Sequence, residues 1–221
     1  MADTLRVVLE IGKKRRVVAG ALDWPGLDRW GTSEDDALAK LSTYQPRYAG
    51  VAERAGLGEA FAQARGVAVI ERVPGSSSTD FWGIAHVPSR IEAEVLPPAD
   101  LERRLDVLQA CWAWFDDTLA RVAGELRPGP RSNGRSREQI VGHVYGNESE
   151  QFSRKVEVRT PREVVLTPAG LTAHRQAYLE AIRAYNAQGK AARTWPLQFL
   201  VRRTAQHVMD HGWELEDRGL G

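Results

Sequence analysis

The chain has 221 residues and a formal net charge of +1, with 30 basic and 29 acidic side chains; so even a balance argues against a general nucleic-acid binder, which carries a large basic excess. An apolar fraction of 43% is enough for a well-buried core in one large domain or two small ones. The single cysteine, Cys111, excludes an internal disulfide and a thiolate zinc cluster, and no stretch approaches the roughly 18 apolar residues of a membrane span.

The first residues, MADTLRVVLEIGKKRR, lack an apolar stretch behind a basic start, so no secretory leader is expected and the cytoplasm is the default compartment. Residues 5–11 (LRVVLEI) and 16–22 (RVVAGAL) are β-branched runs separated by Gly12-Lys13-Lys14, as in a hairpin. The basic cluster 13–16 at the tip reads as a solvated turn rather than a phosphate contact. Pro25-Gly26 marks a turn. Ser33 followed by Glu34, Asp35 and Asp36 starts a helix, with a capping hydroxyl and then acids near the positive end of the dipole. That helix continues through Ala37, Leu38 and Leu41, and a second helical stretch is expected over 44–54. Residues 66–73 and 81–87 (FWGIAHV) read as two more strands around a Gly-Ser turn at 75–78.

The pattern changes after Pro97-Pro98. Leu101, Leu105, Leu108, Trp112, Phe115, Leu119, Val122 and Leu126 alternate spacings of four and three, which is the seam of a bundle helix. LRPGPRSNGRS stops it, and 137–155 is a second helix. Thr167-Pro168 supplies a cap and first position for a third, which carries Leu171, Tyr178, Ile182 and Tyr185 on one face and ends at Gly189. Trp195-Pro196 opens a fourth that runs to about Arg218. The expected fold is α+β: a small module over 1–95 and an antiparallel four-helix bundle over 98–221.

On the fourth helix, LVRRTAQHVMDHGWELEDR, His207 and His211 lie four residues apart and so share one face, one turn apart. They share a stripe with Leu200, Thr204 and Leu215 and should point inward. His143, three residues after Ile140 on the apolar face of the second helix, is the third candidate ligand. Three imidazoles with open positions are the arrangement of a catalytic rather than a structural site. Glu214, three residues after His211, could be a fourth ligand, a general base or an orienting partner. Arg203 could bind a carboxylate, and Asn147 and Glu150 lie near the His143 face. His86 and His174 fit no such geometry. Cys111 reads as a buried, inert thiol, and Trp112, Trp114, Trp195 and Trp213 as core or interface, with one or more available to line the metal pocket.

A histidine in the second bundle helix (GHVYGNE) and a His-x-x-x-His followed by acids in the last (HVMDHGWELEDR) make residues 98–221 resemble the DinB-like metal-dependent bundle superfamily. That resemblance implies a three-histidine site of His143, His207 and His211 for zinc, nickel or a similar divalent ion. It also implies a thiol-dependent transferase, isomerase or hydrolase acting on a small molecule with a low-molecular-weight thiol, and a homodimer. The string VVAGALDWPGLDRWGTSEDDALAKL resembles the HicB-like fold more weakly, a fold that in HicB antitoxins meets a protein partner. Two functions are therefore expected from the sequence. One is a metal-dependent enzyme in which Glu214 or Glu150 moves a proton and Arg203 holds an acidic substrate. The other is a non-catalytic, metal-stabilised binding protein whose N-terminal module recognises a partner.

Overall fold

β1 (Leu5–Ile11) and β2 (Val17–Ala21) form the hairpin, antiparallel with Val7 opposite Ala21 and Ile11 opposite Val17. β3 (Asp28–Gly31) joins β2 antiparallel, and β4 (Val67–Pro74) pairs with β1 in parallel, giving the order β3-β2-β1-β4. The computed structural model describes residues 4–122, 124–129 and 134–219. β1 is apolar almost throughout because both of its faces are covered. Leu5, Val7 and Leu9 enter the main core, while Val8 packs with Leu22 and Val73 on the other side. The β1–β4 register slips between Val7 and Val8, which leaves Ile70 unpaired and 37% exposed.

The β3–β4 connection runs through α1 (Glu34–Arg54) and α2 (Gly58–Gln63). Ser33 caps α1 by accepting the Asp36 N–H at 3.1 Å. Where the sequence divides two helical stretches, α1 is one helix that passes through Pro46. Pro46 removes one ladder hydrogen bond, and burial of Leu41, Tyr48, Val51 and Ala52 along one face outweighs that loss.

The expected strand over 81–87 is absent. Ser76 caps a short helix, α3 (Ser77–Trp82), in a capping box with Thr79, and Gly83 ends it with φ of 69°. The amides that would have joined a sheet find another acceptor. The buried Glu10 carboxylate takes the N–H of His86 at 2.7 Å and of Val87 at 2.9 Å, as well as the Thr79 hydroxyl.

A 3₁₀ turn over Ile91–Ala93 leads to α4 (Pro98–Arg121), whose seam residues Leu101, Leu105, Leu108, Trp112 and Phe115 are buried. The helix stops before Val122 and Leu126; Leu126 instead forms an isolated bridge with Gly219. α5 (Arg137–Asn147) is capped by Ser136 and continues as a π turn (Glu148–Phe152) and a 3₁₀ turn (Ser153–Val156), so the second bundle helix is present but irregular. α6 (Arg162–Val165) precedes α7 (Pro168–Ala187), which Thr167 caps, and α8 (Leu197–Arg218) ends the described chain.

The bundle is not antiparallel throughout. Arg137 at the start of α5 reaches the Leu119 and Val122 carbonyls at the end of α4. Arg175, early in α7, pairs with Asp116 late in α4, and Arg183, late in α7, pairs with Glu102 early in α4. α5 and α7 therefore both oppose α4. α8 runs with α4, since Arg121 pairs with Glu216 at one end and Gln198 bonds the Glu94 carbonyl at the other. The crossover through α6 returns the chain to the end from which α5 began, and this sets the directions.

The fold is α+β, and one contiguous core joins its parts: Val7, Leu41 and Tyr48 belong to the same cluster as Leu105, Ile140 and Val208. Buried Arg202 of α8 also holds Asp28 of β3 at 2.6 Å and Glu92 of the 3₁₀ turn at 2.7 Å. Among the described residues, no helix is long and apolar enough to cross a membrane.

Candidate metal centre

His207 and His211 occupy successive turns of α8, and His143 faces them from α5. The three rings stand with centroids 4.8–4.9 Å apart, and one nitrogen from each lies within 4.8 Å of the others. The closest approach is His207 Nε2 to His143 Nε2, at 3.1 Å. Two nitrogens each bound at about 2.0–2.1 Å to one tetrahedral zinc lie about 3.3 Å apart. The observed separation is close to that spacing.

Neighbouring polar side chains contact the rings. His211 Nδ1 lies 2.9 Å from Glu214 Oε2, and Glu214 Oε1 accepts from Arg218 at 2.6 Å. A proton on Nδ1 donated to that carboxylate leaves the His211 Nε2 lone pair free. Asn147 Nδ2 lies 3.2 Å from His143 Nε2 and 3.3 Å from His207 Nε2, and its amide oxygen accepts from Gln151 at 2.6 Å. His207 has no such orienting acceptor, because its Nδ1 is buried without a partner.

Electrostatics favour the free bases. Burial, then the neighbouring His211, holds His143 down at about 4. Burial and the other two histidines push His207 well below the ordinary imidazole value. Both shifts favour the neutral imidazole, the form that can bind a metal ion. An all-nitrogen donor set of this kind suits zinc, nickel and similar borderline ions, and the residues present fit such an ion.

A cavity of about 400 Å³ opens over the triad. α5 contributes His143 and Asn147; the π turn contributes Gln151 and Phe152; α8 contributes Arg203, His207, Asp210 and His211. Trp82 of α3, Ile84 after it and Arg135 also line it. The π turn explains Phe152. In an uninterrupted α-helix, at about 100° per residue, it would lie about 180° away from His143. The widened turn brings it round, so that its ring stands 5.5 Å from that of His207.

The other candidates are placed as follows. Glu214 touches His211 but does not line the cavity. Glu150 turns outward to Arg162 at 3.2 Å and does not line it either. Arg203 lines the cavity and is buried, with one hydrogen bond to Gln206 at 2.9 Å. Asp210 lies on the wall, paired with Arg29 at 2.9 Å. None of Trp112, Trp114, Trp195 and Trp213 lines the cavity; Trp82 does, from the segment expected to be a strand. Ser76, a capping residue type with Asp80 in the turn that follows, was the helix-start signal available in the sequence. His174 is buried against the Thr160 hydroxyl at 2.8 Å, outside the site. Cys111 is buried, and burial raises its thiol pKa far above the ordinary value.

The chain matches no protein-family model, no curated protein and no solved structure. The chemistry of the site therefore rests on its own geometry.

Proposed function

We propose that this chain is a metal-dependent enzyme acting on a small molecule, with His143, His207 and His211 holding one divalent ion, zinc or nickel. The observation that carries the reading is the convergence of three imidazoles, two of them held neutral, at the floor of a cavity of about 400 Å³. Three protein donors would leave a bound ion open to a substrate or water. When bound, such an ion supplies Lewis acidity, which polarises an oxygen or lowers the pKa of a coordinated thiol or water.

The protein groups divide the remaining work. Glu214 fixes the His211 tautomer and orientation, so it acts through the ligand and does not itself move a substrate proton. Asp210, the carboxylate on the cavity wall, is held in place by Arg29. Trp82, Ile84 and Phe152 exclude water from one side. Glu150, tied to Arg162 outside the cavity, has no part in the proposal.

The DinB-like reading of the bundle, the HicB-like reading of residues 1–95 and the use of a low-molecular-weight thiol belong to the same proposal. The order of parts and the His-x-x-x-His on the last helix support them. The test is metal analysis of purified protein, wild type against His207→Ala, followed by assay of loaded protein with a small thiol and an electrophile. Near-stoichiometric metal in the wild type, much less in the variant and metal-dependent turnover are expected. Equal metal in both proteins would remove the site. Full loading with no turnover would favour a non-catalytic binding protein.

A further inference from the structure

The arginines buried among the described residues are Arg104, Arg202, Arg203 and Arg218. Arg104 has Asp23 at 3.5 Å, Arg202 has Asp28 and Glu92, and Arg218 has Glu214. Arg203 is only 5% exposed, yet its single hydrogen bond goes to the neutral Gln206 amide and its Nε is buried without a partner. A guanidinium cannot shed its proton to escape burial. An uncompensated buried charge is among the costliest features a fold can carry. The acids whose charge reaches it each hold other groups: Asp28 holds Arg202, Asp210 holds Arg29, and Glu10 holds the Thr79 hydroxyl and the His86 and Val87 amides. Arg203 lines the metal cavity, one turn before His207 on α8. Arg135 adds a second positive charge to the lining.

The cavity also has an apolar lining, most of it from the N-terminal module. Trp82 and Ile84 line the cavity with Phe152. The segment that carries them is held by Glu10 of β1 through Thr79, His86 and Val87. Gly83, with φ of 69°, packs directly against the Trp30 ring, which sets the direction in which Trp82 leaves α3.

Resting on the metal-centre reading above, we infer that the substrate is a small organic carboxylate with an apolar or aromatic body. Arg203 receives the carboxylate as the missing counter-ion, and Trp82 and Ile84 receive the body. Planar, two-pronged donation by a guanidinium matches a carboxylate. The N-terminal module then serves as the wall that selects the substrate's apolar part.

The test uses the full chain after metal loading, with phenylacetate, phenylacetamide and acetate as probes in calorimetric titrations, and with metal content measured for every protein. In wild type, phenylacetate should bind about tenfold or more tighter than phenylacetamide, which has the same body without the charge. Acetate should bind more weakly than phenylacetate. Arg203→Met should lose about tenfold or more for phenylacetate, leave phenylacetamide unchanged and keep its metal. Its melting temperature should equal or exceed wild type, because an unpaired buried charge is removed. Trp82→Ala should weaken phenylacetate and phenylacetamide alike. Unchanged phenylacetate binding in metal-loaded Arg203→Met would overturn the inference, because the carboxylate would then be held by the ion alone. So would equal affinity of wild type for the acid and the amide. Failure of the wild type to retain metal would instead sink the metal reading, and the same acid-against-amide comparison on the metal-free chain would still decide the role of Arg203.

Discussion

Gly20 lies opposite Asp28 in the β2–β3 register, and the Asp28 side chain folds across it to meet Arg202. A methyl group added at Gly20 would collide with Asp28 Oδ1 and stand 2.5 Å from Arg202 Nη1, closer than carbon and nitrogen can approach. Gly20→Ala therefore forces open a pair whose side chains are 0% and 2% exposed. Breaking a buried pair costs about 3–5 kcal/mol. Arg202 keeps Glu92 at 2.7 Å, so Asp28 bears the loss. Burial already raises Asp28 to about 6 even with Arg202 beside it. Without that partner its pKa rises further, and the carboxyl takes up a proton, which holds the cost near the lower end, about 3 kcal/mol. For a chain of this size that corresponds to a melting temperature lower by roughly 6–12 °C. The sign with pH follows from the same shift. The folded state binds a proton that the unfolded state, with an ordinary carboxylate, releases, so the deficit of Gly20→Ala grows as pH rises above 6. Urea unfolding followed by tryptophan fluorescence at pH 6 and pH 8 measures both effects. The same change in an Asp28→Ala background, where the pair is already broken and only the Arg202 contact remains, should cost less than in the wild type. A Gly20→Ala protein as stable as wild type, or an equal penalty in both backgrounds, would refute the reasoning.

Three further outcomes are expected. Glu214→Ala frees the His211 ring from its acceptor and should weaken metal affinity about 10–100-fold in a chelator competition; undiminished affinity would show that Glu214 orients nothing. Burial holds His174 down at about 4, and His143 and His207 are also depressed, whereas the unfolded chain has the ordinary value of 6.5. The metal-free protein should therefore keep this stability above about pH 6.5 and lose it progressively as pH falls towards 4. A urea midpoint that stays flat between pH 7.5 and 5 would contradict those environments. Cys111, fully buried with a raised pKa, should react with an aromatic disulfide reagent only as fast as the chain unfolds, and labelling within the mixing time would show an open path to it.

Much of the architecture is visible in local chemistry. The caps at Ser33 and Thr167, the seam from Leu101 to Phe115 and the hairpin around Gly12 each depend on residues a few positions apart, and each forms where those residues stand. The three histidines are legible for the same reason. His207 and His211 share a face through the helical period alone, and His143 shares a face with Ile140. That the third ring meets the other two is a fact of packing between α5 and α8, which no spacing expresses.

Long-range partners decided the rest. Residues 81–87 have the composition of a strand, but their amides bond to Glu10, more than seventy positions away in the chain. Phe152 enters the cavity because a π turn displaces it from the helical phase. Glu150 leaves because Arg162, beyond the next loop, pairs with it outside. Periodicity records which face of an element is apolar; it does not record which distant charge will compensate a buried one. The pairing of Arg202 beside an unpaired Arg203 therefore emerges only once β3, the 3₁₀ turn at Ile91 and α8 are brought together.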